Sequence, residues 1–263
     1  RDYANGDYIP GAAGYVERWR IQAERFREAA LARGGARLDL RYGSGARAVF
    51  DLFLPEAEPA GCVIFVHGGY WRAFDKSLWS HLAAGAGARG GAVAMPSYTL
   101  APQARIGAIT REIAQAVAAI ASQVEGPLRL VGHSAGGHLV ARMLCEDVTL
   151  APLVAARIAG CVPISPLGTL EPLLETTMNA DLQLDLAEAR AESPALVRQA
   201  RPVPVTVWVG AEERPVFLTQ ARELAGAWGC PLRIAPGQHH FDVIDGLSDP
   251  GAPLCGAVLG AQP

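Results

Sequence analysis

The chain has 263 residues, 50% of them apolar and 19% charged, a balance that allows a sizeable buried core. Its formal charge of −3 comes from acids and bases mixed along the sequence, with no run of five or six like charges, which argues against a nucleic-acid partner. No apolar run is long enough to cross a bilayer, since even the Ala-rich segment around Val117 is broken by Glu112, Gln115 and Ser122, so no membrane association is expected.

Taken in order, the first 35 residues place Tyr15, Trp19, Ala23, Phe26 and Ala30 at three- and four-residue steps between Pro10-Gly11 and Gly34-Gly35. This predicts one amphipathic helix, an N-terminal extension whose aromatic face packs on the body of the domain rather than touching substrate. Residues 38–42 and 48–54 read as strands flanking the Gly-rich turn Gly43-Ser44-Gly45, which predicts a hairpin.

From residue 61 the pattern changes. Strands are expected at 62–66, 92–95, from 128, at 158–164, 205–209 and 232–235, separated by helices from 77, over 105–123, after 136 and over 215–228. Such alternation predicts an α/β fold with a mostly parallel central sheet, an antiparallel N-terminal hairpin and helices on both faces. Residues 169–201 carry no strand signal and read as a helical excursion over the carboxyl edge of the sheet, where open α/β folds bind ligands. A single domain over 1–263 is expected. Five scattered cysteines with no C-x-x-C pair and no histidine at ligand spacing predict buried thiols in a reducing, cytoplasmic setting and no metal. No stretch has the layout of a signal peptide, although the chain starts at Arg1 and not at Met.

The chemistry concentrates in residues 128–139, where a short apolar strand runs into Gly132-His133-Ser134-Ala135-Gly136 and then into a helical pattern. A strand that reverses into a helix strains its corner residue, and Gly132 and Gly136 give the turn room to close. Ser134 is the candidate nucleophile. The alternative, a Gly-rich turn binding phosphate, lacks a G-x-G-x-x-G or Walker pattern.

His67-Gly68-Gly69-Tyr70-Trp71 follows the strand at 62–66, and its glycines let backbone amides of Gly68, Gly69 and Tyr70 share space with that of Ala135 as an oxyanion hole. A serine hydroxyl needs an imidazole to take its proton and a carboxylate to orient that imidazole, and in this arrangement they follow as acid, then histidine. Among the later histidines, His138 lies on the helix and reads as facing either packing or solvent. His239 and His240 fall in the loop after the last strand, and His240 is the expected base. Beyond the strand at 205–209 stand Glu212 and Glu213; Glu213 is favoured as the acid, with Glu212 a surface charge.

Together, His67-Gly68-Gly69-Tyr70-Trp71, residues 132–138, Ile164-Ser165-Pro166-Leu167 and His240-Phe241-Asp242 resemble the arylformamidase (kynurenine formamidase) and bacterial esterase-lipase branch of the α/β-hydrolases. The resemblance covers about residues 38–247. It implies Ser134 as nucleophile, His240 as base and the residue after Glu212 as acid; where the animal formamidases carry Asp, this chain has Glu213. The expected activity is hydrolysis of a carboxylic ester or formyl anilide through an acyl-enzyme, with N-formylkynurenine one substrate option beside general short-chain esters. Trp71, His133 and Phe241 are expected to bind substrate, and no cofactor is needed. A non-catalytic ligand binder is the rival, and the oligomeric state is left open, a homodimer included.

Overall fold

Apolar, β-branched runs bounded by glycine and proline become strands, and 3.6-residue stripes become helices. The computed structural model describes residues 3–260. In chain order it contains α1 (Ala13–Ala32), β1 (Ala36–Arg41), β2 (Val49–Phe53), β3 (Cys62–Val66), α2 (Ala84–Ala88), β4 (Ala92–Pro96), α3 (Ile106–Ala121), β5 (Leu128–His133), α4 (Ala135–Arg142) and α5 (Pro152–Ala155). There follow β6 (Ile158–Ile164), α6 (Asn179–Leu182), α7 (Leu186–Ala191), β7 (Val207–Gly210), α8 (Pro215–Trp228), β8 (Leu232–Ala235) and α9 (Pro253–Leu259).

The eight strands form a sheet in the order β1-β2-β4-β3-β5-β6-β7-β8. The expected hairpin supplies its antiparallel edge, with β1 on β2 and β2 on β4, and every other pairing is parallel. All five residues of β3 are buried because both faces of the sheet are covered. Ile64 and Val66 join one core with Leu130, Leu139 and the α3 stripe Ile106, Ile109, Ile113, Val117 and Ile120, while Val63 and Phe65 join the other with Val131, Val162 and Trp208. Pro215 opens α8 and Gly229 closes it in the left-handed conformation, the usual start and stop for a helix.

Two elements differ from expectation. The helix expected from 77 begins as 3-10 helix over Lys76–Ala83, capped by the Asp75 carboxylate on the Ser77 amide at 2.7 Å, and becomes α-helical only at Ala84. The strand expected from 205 pairs continuously only from Val207. Pro202 and Pro204 lack the N–H a ladder requires, so Val205 joins by an isolated bridge to Cys161.

Helix α1 packs along the Lys76–Ala83 segment, with Trp19 and Trp79 rings 4.7 Å apart and Phe26 edge-on to Phe53 at 5.2 Å. Arg27 of α1 pairs with the fully buried Asp51 of β2, which Lys76 also meets at 2.8 Å. Removing either cation leaves part of a buried charge uncompensated, so this network ties the helix to the sheet. Among the described residues no helix is long and apolar enough to cross a membrane.

Candidate active site

The carboxyl ends of β3, β5, β6 and β7 converge on one edge of the sheet, and the candidate residues sit there. Ser134 takes φ 56°, ψ −115° between β5 and α4, a strained geometry that persists only where the surroundings over-determine it. Its amide donates to Ile164 O at 2.8 Å, which anchors the corner on β6. A Cβ on Gly132 would lie 2.2 Å from Gly136 O, and one on Gly136 would lie 1.9 Å from Val66 O. Both positions therefore require glycine, as the motif implies.

The loop after β3 runs against this corner: a Cβ on Gly68 would come within 2.9 Å of His133 O. Gly69 (φ 109°), Tyr70 (φ 51°) and Trp71 (φ 57°) follow with successive positive φ. His67 fixes the loop from beneath, stacking on Tyr98 at 4.5 Å while its Nδ1–H donates to Gly68 O at 2.7 Å. Burial pushes the His67 imidazole down to about 4, which keeps it neutral near pH 7. Ala135 opens α4, and the first amides of a helix lack intrahelical acceptors. Gly68, Gly69 and Tyr70 line the same cavity as Ser134.

Glu213 and His240 come from the loops after β7 and β8. His240 Nδ1–H donates to Glu213 Oε2 at 2.6 Å. The other carboxylate oxygen accepts from Gly210 N at 2.9 Å and Ser165 Oγ at 2.5 Å. With Nδ1 engaged, the Nε2 edge of the ring is the one left for a serine, and His240 and Ser134 line the same cavity. The His240 ring is held between Phe217 at 4.2 Å and His133 at 4.6 Å. Burial first, and the neighbouring His240 second, hold the His133 imidazole well below its usual range, so a neutral ring faces His240.

The cavity, of about 320 Å³, takes its walls from His133, Tyr70, Phe74, Trp79 and Phe241, and Thr176, Thr177 and Met178 of the expected helical excursion also reach it. Glu212 is exposed, as expected. His138 is fully buried with Nε2 2.6 Å from Glu192 O, so of packing and solvent it faces packing. His239 meets Tyr15 Oη at 2.9 Å and does not line the cavity.

Trp71 corrects one expectation. It is fully buried and edge-on to His138 at 5.1 Å, outside the cavity wall, because the left-handed turn at residues 70 and 71 leaves the indole in the core beneath the loop. The second correction concerns α1, whose Val16 and Trp19 do line the cavity, together with residues 3–6 ahead of it. Tyr70 Oη donates to Tyr3 O at 2.6 Å, and Gln220 Nε2 donates to Tyr3 Oη at 3.1 Å, so this strap is tied to the loop after β3 and to α8. No spacing signal in the sequence marked it. Among the described residues no group of three His, Cys, Asp or Glu side chains is arranged to hold a metal ion.

Fold and site together define a class: a hydrolase on an α/β sheet whose carboxyl edge carries a strained serine and, lining the same cavity, an imidazole bonded to a buried carboxylate. The chain belongs to the alpha/beta hydrolase fold family, whose model matches residues 63–214. It is 28% identical to a kynurenine formamidase of Danio rerio over 81% of this chain and 77% of that protein. A Drosophila melanogaster kynurenine formamidase is 30% identical over 78% of this chain and 75% of that one. Among solved structures, a protein of Silicibacter sp. TM1040 described provisionally as a thioesterase superposes with TM-score 0.95 at 55% identity, covering 98% of this chain and 97% of that chain.

Proposed function

We propose that the protein hydrolyses a short acyl group, formyl or acetyl, from an aromatic leaving group, through an acyl-enzyme on Ser134. The observation that carries this reading is the placing of Ser134 and a carboxylate-bound His240 on one cavity with the amides of the Gly68–Tyr70 loop. In the mechanism, Ser134 Oγ attacks the carbonyl carbon while His240 Nε2 takes the hydroxyl proton. The amides of Gly69, Tyr70 and Ala135, with Gly68 shaping the loop, hold the oxyanion. Collapse expels the leaving group, which takes the proton from His240, and water repeats the sequence to free the acid. Glu213 keeps the remaining proton on Nδ1 and stabilises the imidazolium without itself being protonated.

The aromatic wall of Trp19, Tyr70, Phe74, Trp79 and Phe241 supports an aryl leaving group. The two formamidase relatives support a formyl anilide, N-formylkynurenine included, beside aryl esters. A thioester is the second reading, favoured by the relative that is 55% identical; it asks less of His240, because a thiolate leaves without a proton. We read the chain as one catalytic domain. Its free cysteines, Cys62, Cys145, Cys161 and Cys255 of them buried, support action in the cytoplasm.

The test is a panel of N-formylkynurenine, p-nitrophenyl acetate and an acetyl thioester, with Ser134→Ala as blank and a fluorophosphonate adduct read by intact mass. A specificity constant for N-formylkynurenine no better than for p-nitrophenyl acetate removes the formamidase reading. A thioester preferred over both replaces it. Absence of both turnover and a Ser134-dependent adduct removes the hydrolase reading.

A further inference from the structure

Taking Glu213 as the acid of the hydrolase proposed above, we infer that Ser165 is the positioning residue that lets a glutamate serve there. Ser165 stands at the carboxyl end of β6, fully buried, and donates its hydroxyl proton to Glu213 Oε1 at 2.5 Å. Its own amide donates to Trp208 O at 2.7 Å, so it bridges β6 and β7 immediately below the acid loop. The backbone supports a purpose for this hydroxyl. A residue before proline favours extended conformations, and few residues other than glycine take positive φ. Ser165 precedes Pro166 and takes φ 47° nonetheless.

Glutamate has one more rotatable bond than aspartate, and its carboxylate swings through a wider arc. Here Gly210 N, at 2.9 Å, and Ser165 Oγ both grip Oε1. Two donors from different strands fix the plane of the carboxylate and turn Oε2 toward His240 Nδ1, 2.6 Å away. Without Ser165 only the Gly210 amide remains on Oε1, and one bond leaves the carboxylate free to rotate about it. Ser165 touches neither substrate nor nucleophile in this scheme and acts through Glu213 alone.

A double-mutant cycle tests this. Ser165→Ala is measured in the native background and in Glu213→Ala, using p-nitrophenyl acetate hydrolysis and the rate of fluorophosphonate capture. Expected in the native background is a fall in kcat of about 10- to 100-fold, the worth of one hydrogen bond to a charged group, with KM within about twofold. In Glu213→Ala the same change costs less than about threefold, because its partner is already gone. The far-downfield proton resonance of His240 Nδ1–H is lost or broadened in Ser165→Ala. Ser165→Gly, which accepts φ 47° without strain, gives the same pattern and supplies the cycle if the alanine variant does not fold. Equal losses in both backgrounds, or no loss in the native one, overturn the positioning role and leave the hydrolase reading standing. A native protein that neither turns over the ester nor captures the fluorophosphonate overturns the hydrolase reading instead.

Discussion

Glu213→Asp isolates what the longer acid does. Removing one methylene retracts the carboxylate by about one C–C bond, roughly 1.5 Å. The 2.6 Å contact to His240 Nδ1 and the 2.5 Å contact to Ser165 Oγ would then open to about 4 Å, beyond hydrogen-bond reach. The acid loop has little room to follow. A Cβ on Gly210 would already sit 2.2 Å from Gln238 O, and the Glu212 amide donates to that same oxygen at 2.9 Å. The loops bearing acid and base are in backbone contact and cannot close by a further ångström. Complete loss of the orienting carboxylate costs up to about 10⁴ in kcat; a retracted aspartate keeps its charge nearby, so about 10²- to 10³-fold is expected, or roughly 3–4 kcal/mol of barrier. The assay is steady-state hydrolysis of p-nitrophenyl acetate with circular dichroism as the fold control, and KM should stay within about twofold. A variant with kcat within threefold of native would refute the reasoning, because either the loops yield or Glu213 is not the orienting acid.

Gly136→Ala forces a Cβ to 1.9 Å from Val66 O, so α4 and β3 must part by more than an ångström. Activity should fall at least about 100-fold, and a variant crystal structure with the elbow unmoved and full turnover would sink this expectation. Tyr70→Phe keeps the loop amide but removes the hydroxyl that donates to Tyr3 O at 2.6 Å. It should raise KM for aryl esters several-fold with kcat nearly constant; the opposite split, kcat falling at fixed KM, denies the strap its role in binding. Burial holds His67 and His81 down to about 4 and His138 to about 3. As pH falls through about 6.5 the unfolded imidazoles take up protons first, so stability is full above that pH and is lost down to about 4 for His67 and His81 and about 3 for His138, by roughly 3–5 kcal/mol each. Urea midpoints measured between pH 7 and 4 should decline throughout, and a flat series would contradict the buried neutral rings.

Much of the architecture was legible because it is written in local period. The strand at 62–66 and the stripe Ile106, Ile109, Ile113, Val117 and Ile120 announce their elements within a few residues, and the glycines flanking Ser134 announce the elbow. The proposed acid and base were singled out for a different reason: strand alternation places the loops after β7 and β8 on the edge that carries Ser134, and each loop offers few candidates. Between Glu212 and Glu213 the structure separates an exposed side chain from one bonded to His240. Contacts made across the chain left no such mark. Trp19 has the same spacing whether its ring fills a core or walls a cavity, and here it does both, meeting Trp79 and the pocket at once. Trp71 is absent from the pocket wall and Trp79 stands in it because backbone direction, which spacing does not encode, decides which indole faces the pocket. Ser165 meets its partner 48 residues further on, and no rule of spacing joins them.

The groups proposed to form and break bonds all lie on turns at the carboxyl edge of the sheet, within the span of the family model or in the loop after β8. Much of the roof comes from residues ahead of that span, the strap at 3–6 and the first turns of α1, held down by Tyr70 and by the Arg27–Asp51 pair. A group that touches substrate only at the leaving-group side contributes similarly to ground state and transition state, whereas one that orients the base acts only as charge develops. Changes in the roof should therefore move KM and substrate preference, and changes at Glu213 or Ser165 should move kcat. Should Tyr70→Phe and Glu213→Asp prove to shift the same constant, the roof and the acid would have to be coupled through the Gly68–Tyr70 loop, and the strap would belong to the catalytic machinery rather than to selection.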